Sequence, residues 1–184
     1  TAMIIQARIT QDISNQDQVV KAIKLYAIDF DGSYPRVDTT PGSGSRAVFT
    51  SSTEAFNELL RHTNITAENI FYMKGNLEKM MAPNDDGYLE EYENCMVYVI
   101  GQSDTTPSYS PLVADEMDGT GTYGENHPWL ENGKAVVGYC GGHVVAERLT
   151  AKEAGATVIG GGGEIENIFE RAQRDVDGLS LIHI

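Results

Sequence analysis

Apolar residues open the chain at helical spacing. From Ala2 to Phe30 the positions Ile5, Ile9, Ile13, Val19, Val20, Ile23, Tyr26, Ala27 and Phe30 recur at threes and fours for most of the length, with no Gly or Pro between them. The pattern predicts one long helix. At the usual rise it would be about 45 Å long, more than a small domain covers along its whole length. Its polar middle, Gln11 to Gln18, is expected to face solvent. The helix should stop at Asp29-Phe-Asp-Gly-Ser-Tyr-Pro35, where Gly32 can supply a left-handed cap and Pro35 forbids continuation.

Residues 37–52 are rich in Thr, Ser, Gly and Pro and read as loop, broken only by Ala47-Val-Phe49. A second helix is expected from Thr53 to His62, capped by a Ser or Thr near position 52, with Phe56, Leu59 and Leu60 inward. Strand-like runs follow at Ile70–Met73, Cys95–Ile100, Pro111–Ala114, Ala135–Tyr139 and Gly142–Ala146, with a polar, acidic stretch from Met80 to Glu93 between the first two. The last two strands are joined through Glu131-Asn-Gly-Lys or Cys140-Gly-Gly. A third helix is expected from Glu164 to Asp175, after four glycines. Long helix, short helix, antiparallel strands and a last helix make an α+β chain rather than an alternating βαβ one.

Composition narrows the function classes. The chain has 184 residues, enough for one domain, with 13 Lys+Arg against 27 Asp+Glu and a formal charge of −14. That balance is wrong for neutralising a phosphate backbone or an anionic bilayer, so neither nucleic acid nor electrostatic membrane binding is expected. Two cysteines, Cys95 and Cys140, suffice for one bridge in an oxidising compartment. They are equally consistent with two buried thiols.

Two segments together resemble a known family. Val20 to Pro35, with Tyr26-x-x-Asp29-x-Asp31-Gly32-x-Tyr34-Pro35, is similar to the end of the pilin-type helix in bacterial pseudopilins. Pro111-Leu-Val-Ala-Asp-Glu116, then Asn126-His127, then Gly138-Tyr-Cys-Gly-Gly-His-Val144 resembles the tail of prepilin-like proteins with an H-x9-D-G signature. Here Gly141 stands where the family has Asp, and residues 128–140 separate it from His127, thirteen instead of nine.

The resemblance implies a non-enzymatic structural subunit of a type II secretion or type IV pilus-like filament, held in the inner membrane with its head in the periplasm. Its partners would be other pseudopilin subunits. An apolar, methylated helix segment would precede Thr1-Ala-Met-Ile-Ile5 and enter the bilayer. On this reading residues 1–30 are the helix, 31–150 an α+β head with a small antiparallel sheet, and 151–178 a C-terminal extension. Leu179-Ser-Leu-Ile-His-Ile184 is similar to a translated sequencing adapter and is expected to contribute neither fold nor function. The alternative is an extracytoplasmic module that binds a small ligand or carbohydrate, with Trp129 and tyrosines lining its site. An ordinary amphipathic helix in a soluble domain is the plain reading of the first segment.

Candidate chemistry is sparse. Asp104, Asp115, Glu116 and Asp118 lie in or beside polar loop around a short strand, and such hard oxygen ligands suit Ca²⁺; a solvated acidic loop has the same composition. The resemblance adds a calcium-stabilised loop near the C-terminal end of major pseudopilins. His127 and His143 could join Asp115 in a triad or zinc site, yet no nucleophile elbow or His-Glu-x-x-His accompanies them. Gly160 to Gly163 precedes a helix without the lysine of a phosphate loop, and Asn64-Ile-Thr66 fits a glycosylation acceptor by three residues only. No catalytic residue is assigned.

Overall fold

The computed structural model describes residues 2–36, 49–76, 84–159, 167–176 and 178–183. Helix α1 runs Ala2–Asp29 and α2 Ser52–His62. Strands β1 (Met96–Ile100), β2 (Pro111–Asp115), β3 (Thr122–Tyr123), β4 (Lys134–Tyr139), β5 (Val144–Arg148) and β6 (Ala156–Thr157) follow, then α3 (Ile168–Asp175) and β7 (Ser180–Ile182). The larger sheet is ordered β5-β4-β2-β1-β7 with every pairing antiparallel, and β3 pairs with β6 in a second, two-stranded sheet. The chain is therefore α+β, a long helix followed by a small antiparallel sheet and short helices.

Alternation along the strands divides the core into two faces. Met96, Tyr98, Ile100, Leu112 and Val113 point to the face covered by α1 and α2, where Val19, Val20, Ile23, Tyr26, Phe56 and Leu59 pack. Val97, Val99, Ala114, Ala135, Val137 and Tyr139 point to the other face, where α3 contributes Ile168 and Phe169. With both faces covered, β1 and β2 are buried at every position.

Helix α1 sits close against β4. A methyl group on Gly138 would lie 2.8 Å from Val20 Cγ2 and 2.9 Å from Val113 Cγ2, so the missing side chain sets the distance between helix and sheet. Farther along, Lys24 Nζ donates to the Cys140 carbonyl at 2.8 Å, where β4 turns into β5. The helix ends as its sequence requires: Asp31 and Gly32 adopt positive φ (54° and 81°), and the Gly32 amide returns to the Ala27 carbonyl at 2.8 Å. Tyr34 is buried, Ser33 bridges to Ser103, and the Tyr98 hydroxyl donates to the Pro35 carbonyl at 2.6 Å.

Helix α2 starts one residue before the expected boundary. Ser51 caps it by accepting from the Glu54 amide at 3.2 Å, and the Ser52 hydroxyl ties it to the Met96 carbonyl at 2.8 Å. The β4–β5 hairpin closes through Cys140-Gly-Gly, with Gly142 at φ 98°.

Three expectations are corrected. Ile70–Met73 is not a strand: Glu68–Phe71 forms a 3₁₀ turn, which turns the consecutive Ile70 and Phe71 both inward, as an alternating strand cannot. The polar middle of α1 is not solvated, since Asp12, Asn15 and Gln16 are buried. Ser180–Ile182, expected to contribute nothing to the fold, pairs with β1 through Tyr98↔Ile182, Val99↔Leu181 and Ile100↔Ser180. Helix α3 is observed from Ile168, and Asn167 caps it by accepting from the Phe169 and Glu170 amides; residues 37–48, 80–83 and 160–166 of the expected loops, glycine run and helix start lie outside the described residues. No helix among the described residues is long and apolar enough to cross a membrane.

Two substitutions test this frame. Gly32→Val forces a β-branched residue into left-handed backbone, with a Cβ 2.7 Å from the Asp104 carboxylate. It should lower stability by on the order of 1–2 kcal/mol in urea unfolding. Gly138→Ala should lower it by about 1–3 kcal/mol through overpacking under α1, and an unchanged midpoint would refute the close approach.

Candidate functional site

Asp12 and Gln16 stand one turn apart on α1 and continue its inward stripe, Ile9, Asp12, Gln16, Val19, Val20, Ile23. The same rotation that buries Val20 over Gly138 therefore drives two polar side chains onto the sheet. Asp115 meets them from the end of β2, following Val113 and Ala114 in the strand's alternation. All three are shielded from water.

Hydrogen bonds join these groups into one network. Gln16 Nε2 lies 2.9 Å from Asp115 Oδ1, 3.3 Å from Asp12 Oδ1 and 3.2 Å from the Val136 carbonyl. Its two N–H groups thus serve three acceptors. The Val136 amide donates to Asp115 Oδ2 at 2.8 Å, and Trp129 Nε1 donates to Asp12 Oδ2 at 3.2 Å. The two carboxyls thus converge on one amide nitrogen, where the charge of Asp12 opposes ionisation of Asp115.

Burial is the main force on both acids. It raises Asp12, partly offset by hydrogen bonds from Asp115, Trp129 and Gln16. It raises Asp115 well above the usual carboxylate range, and the neighbouring Asp12 carboxyl raises it further. Two bare carboxylates here would cost several kcal/mol each; one proton held between them removes most of that cost.

The expected calcium ligands are not brought together. Asp104 is exposed beside the Gly32 turn, while Asp115, at the far end of β2, is committed to the buried network. Glu116 Oε2 accepts from Asn76 Nδ2 at 3.1 Å, and Asp118 is exposed beside Gly124. Among the described residues no group of three His, Cys, Asp or Glu side chains converges as a metal site would.

The disulfide is likewise corrected: Cys95 and Cys140 are buried and not bridged to each other. Strands β1 and β4 both oppose β2 and so run in the same direction. Cys95 precedes β1 and Cys140 follows β4, which puts the thiols at opposite ends of the sheet. Burial pushes the Cys140 thiol up to about 12, and its Sγ lies 3.2 Å from Gln102 Oε1.

The histidines form no triad. His127 is held neutral, its pKa lowered to about 4 by burial, with Nε2 2.7 Å from the Lys134 carbonyl and its ring against Tyr123. His143 stacks on Tyr139 instead. Nor does Trp129 offer a platform for a sugar, being 1% exposed and turned into the core.

Outside the core, two clefts flank the first half of α1. One of about 1030 Å³ lies against residues 67–74 and is lined by Ile4, Ala7, Ile70, Tyr72 and Met73, among others. The other, about 570 Å³, lies between Ile5, Arg8, Trp129 and Lys152. At the same end of the helix Met3 is 85% and Ile4 51% exposed.

Comparison with protein-family models, with curated proteins and with solved structures gives no match.

The two buried thiols make a direct test. A thiol reagent should label neither cysteine in the native chain and two per chain after denaturation. Melting with and without reductant should coincide; a reductant-sensitive transition would restore the bridge.

Proposed function

We propose that the chain is a pilin-type structural subunit, the periplasmic part of a pseudopilin in a type II secretion or type IV pilus-like filament. The reading rests on α1, a single helix packed at one end and bare at the other. From Val19 to Ala27 its inner face is part of the main core, whereas Ala2–Ile4, Gln6 and Ala7 are exposed. A helix so divided has one surface for the head and another for neighbours.

Other features agree. The helix closes in the Tyr26 to Pro35 sequence that resembles pseudopilins, and Gly32 takes the left-handed conformation that sequence favours. Met3, Ile4 and the cleft beside residues 67–74 offer apolar surface at the end where neighbouring subunits would pack. The work is assembly, not catalysis, and the partners are further copies or related subunits. Nucleic acid is no partner for a chain of this charge, and attachment to the inner membrane would come through helix preceding Ala2.

Met3→Cys tests the reading, because the two native thiols are buried. The full-length gene product, expressed with its own assembly genes, should give a ladder of cross-linked copies in the membrane fraction after oxidation. A product that remains monomeric and free of membrane would overturn it. The coding sequence upstream of Thr1 should show a Phe-Thr-x-x-Glu start and an apolar span; a cleavable secretory signal in that place favours the ligand-binding module.

A further inference from the structure

We propose that Asp12 and Asp115 form a proton-held latch: the proton they share seats the first half of α1 on β2 and β4, and its loss releases that half while the rest of the helix stays docked. The latch is independent of filament assembly.

The geometry supports a local event. Beyond Asp17, α1 is held by Val19, Val20, Ile23 and Tyr26 in the main core, by Lys24 on the Cys140 carbonyl and by the Gly32 turn. Before Asp17 its buried apolar anchor is Ile9, in a small cluster with Met73, Cys95, Trp129 and Val136. The polar network is what joins that stretch to β2. Both carboxyls meet at Gln16 Nε2, so removing the proton leaves two negative charges that repel across one amide nitrogen.

The surroundings supply no counter-charge. Among the described residues neither acid takes part in an ion pair. Arg8, a turn earlier on α1, borders both clefts, and Asp17 pairs outward with Lys21 at 2.7 Å. Just past β2, Glu116 accepts from Asn76. On β4, Lys134 meets His127 through its carbonyl. On β5, Glu147 accepts from the Tyr139 hydroxyl at 2.9 Å, and Arg148 is exposed. Tyr123 faces the pair from β3, and the two carboxyls, after burial, raise its own pKa well above normal, so it stays neutral. The thiol of Cys95 is buried beside Trp129.

The direction with pH follows from linkage. Both acids are raised in the folded chain, so their contribution is complete below the unfolded value near 4 and is lost as pH rises through the folded value. His127 acts oppositely: with its folded value lowered to about 4, it weakens the fold as pH falls from about 6.5 toward 4. The two effects are separable by sign.

Trp129 is the only tryptophan, and its indole N–H is bonded to Asp12, so its signal reads the latch. As pH is raised from 5 to 9, the wild-type chain should show a reversible red-shift of emission and loss of the near-ultraviolet tryptophan band. Amide exchange should accelerate over residues 9–16 while residues 19–27 stay protected. In Asp12→Asn no like charge opposes Asp115 and the new amide can donate to it, so the transition should move to lower pH or disappear. Equal pH dependence in the two chains would overturn the latch. If Asp12→Asn does not fold, carbonyl-labelled aspartate NMR of the wild-type chain decides: a proton lost well above the ordinary range supports it, and two carboxyls titrating near 4 refute it.

Discussion

One constraint organises the molecule: a straight helix must lie on a sheet at a point where the sheet carries no side chain. Gly138 provides that point, and Val20 rests over it. With the helix seated there and its end pinned by the Gly32 turn, rotation about its own axis is fixed. The fate of every residue on α1 then follows from its angle. Val19, Ile23 and Tyr26 enter the core and Leu25 and Ile28 remain outside, although all five are apolar. Asp12 and Gln16 have to go in, although both are polar.

Burying polar groups under a helix is costly unless each finds a partner. The sheet supplies partners that an isolated helix lacks: the Val136 amide and carbonyl, the Asp115 carboxyl and the Trp129 indole. These bonds add little net stability compared with apolar side chains of the same shape. Their effect is on register. Sliding α1 by a turn would strand two carboxyls and an amide without partners, whereas a wholly apolar stripe could slide with little penalty. The clasp is thus a device for uniqueness more than for strength.

Much of this architecture was legible in the sequence because local chemistry decided it. The uninterrupted spacing from Ala2 to Phe30 marked α1, Gly32 and Pro35 marked its end, and short apolar runs marked β1, β2 and β4. Where the reading failed, tertiary context outweighed local composition. Gln11 to Gln18 reads as solvated by content, but Asp12 and Gln16 sit at i+3 and i+7 from Ile9, in register with the core stripe. That phase was the available signal. Asp115 reads as one of an acidic surface group, yet it follows four buried positions of a strand covered on both faces, and only the packing of α1 on β2 shows where it points. The separation of Cys95 from Cys140 depended on strand order, which residue spacing does not contain. Ile70 and Phe71 carry strand-like side chains but need to face the same way, a demand that comes from α1 and α2 rather than from the segment itself.

The closure of α1 onto Ser33 and Ser103 has a mechanical consequence. A pull applied at Ala2 along the helix axis travels through the intrahelical hydrogen bonds and is resisted by the Val19–Ala27 stripe against β2 and β4. Those contacts lie side by side along the axis, so they share the load in shear and do not open one after another as a peeled strand would. At the far end, the bridge of Ser33 to Ser103 and the Tyr98 hydroxyl on the Pro35 carbonyl tie the helix to the loop that follows β1 and to β1 itself. Tension on α1 is therefore passed to the middle of the sheet, through β1, β2 and β4.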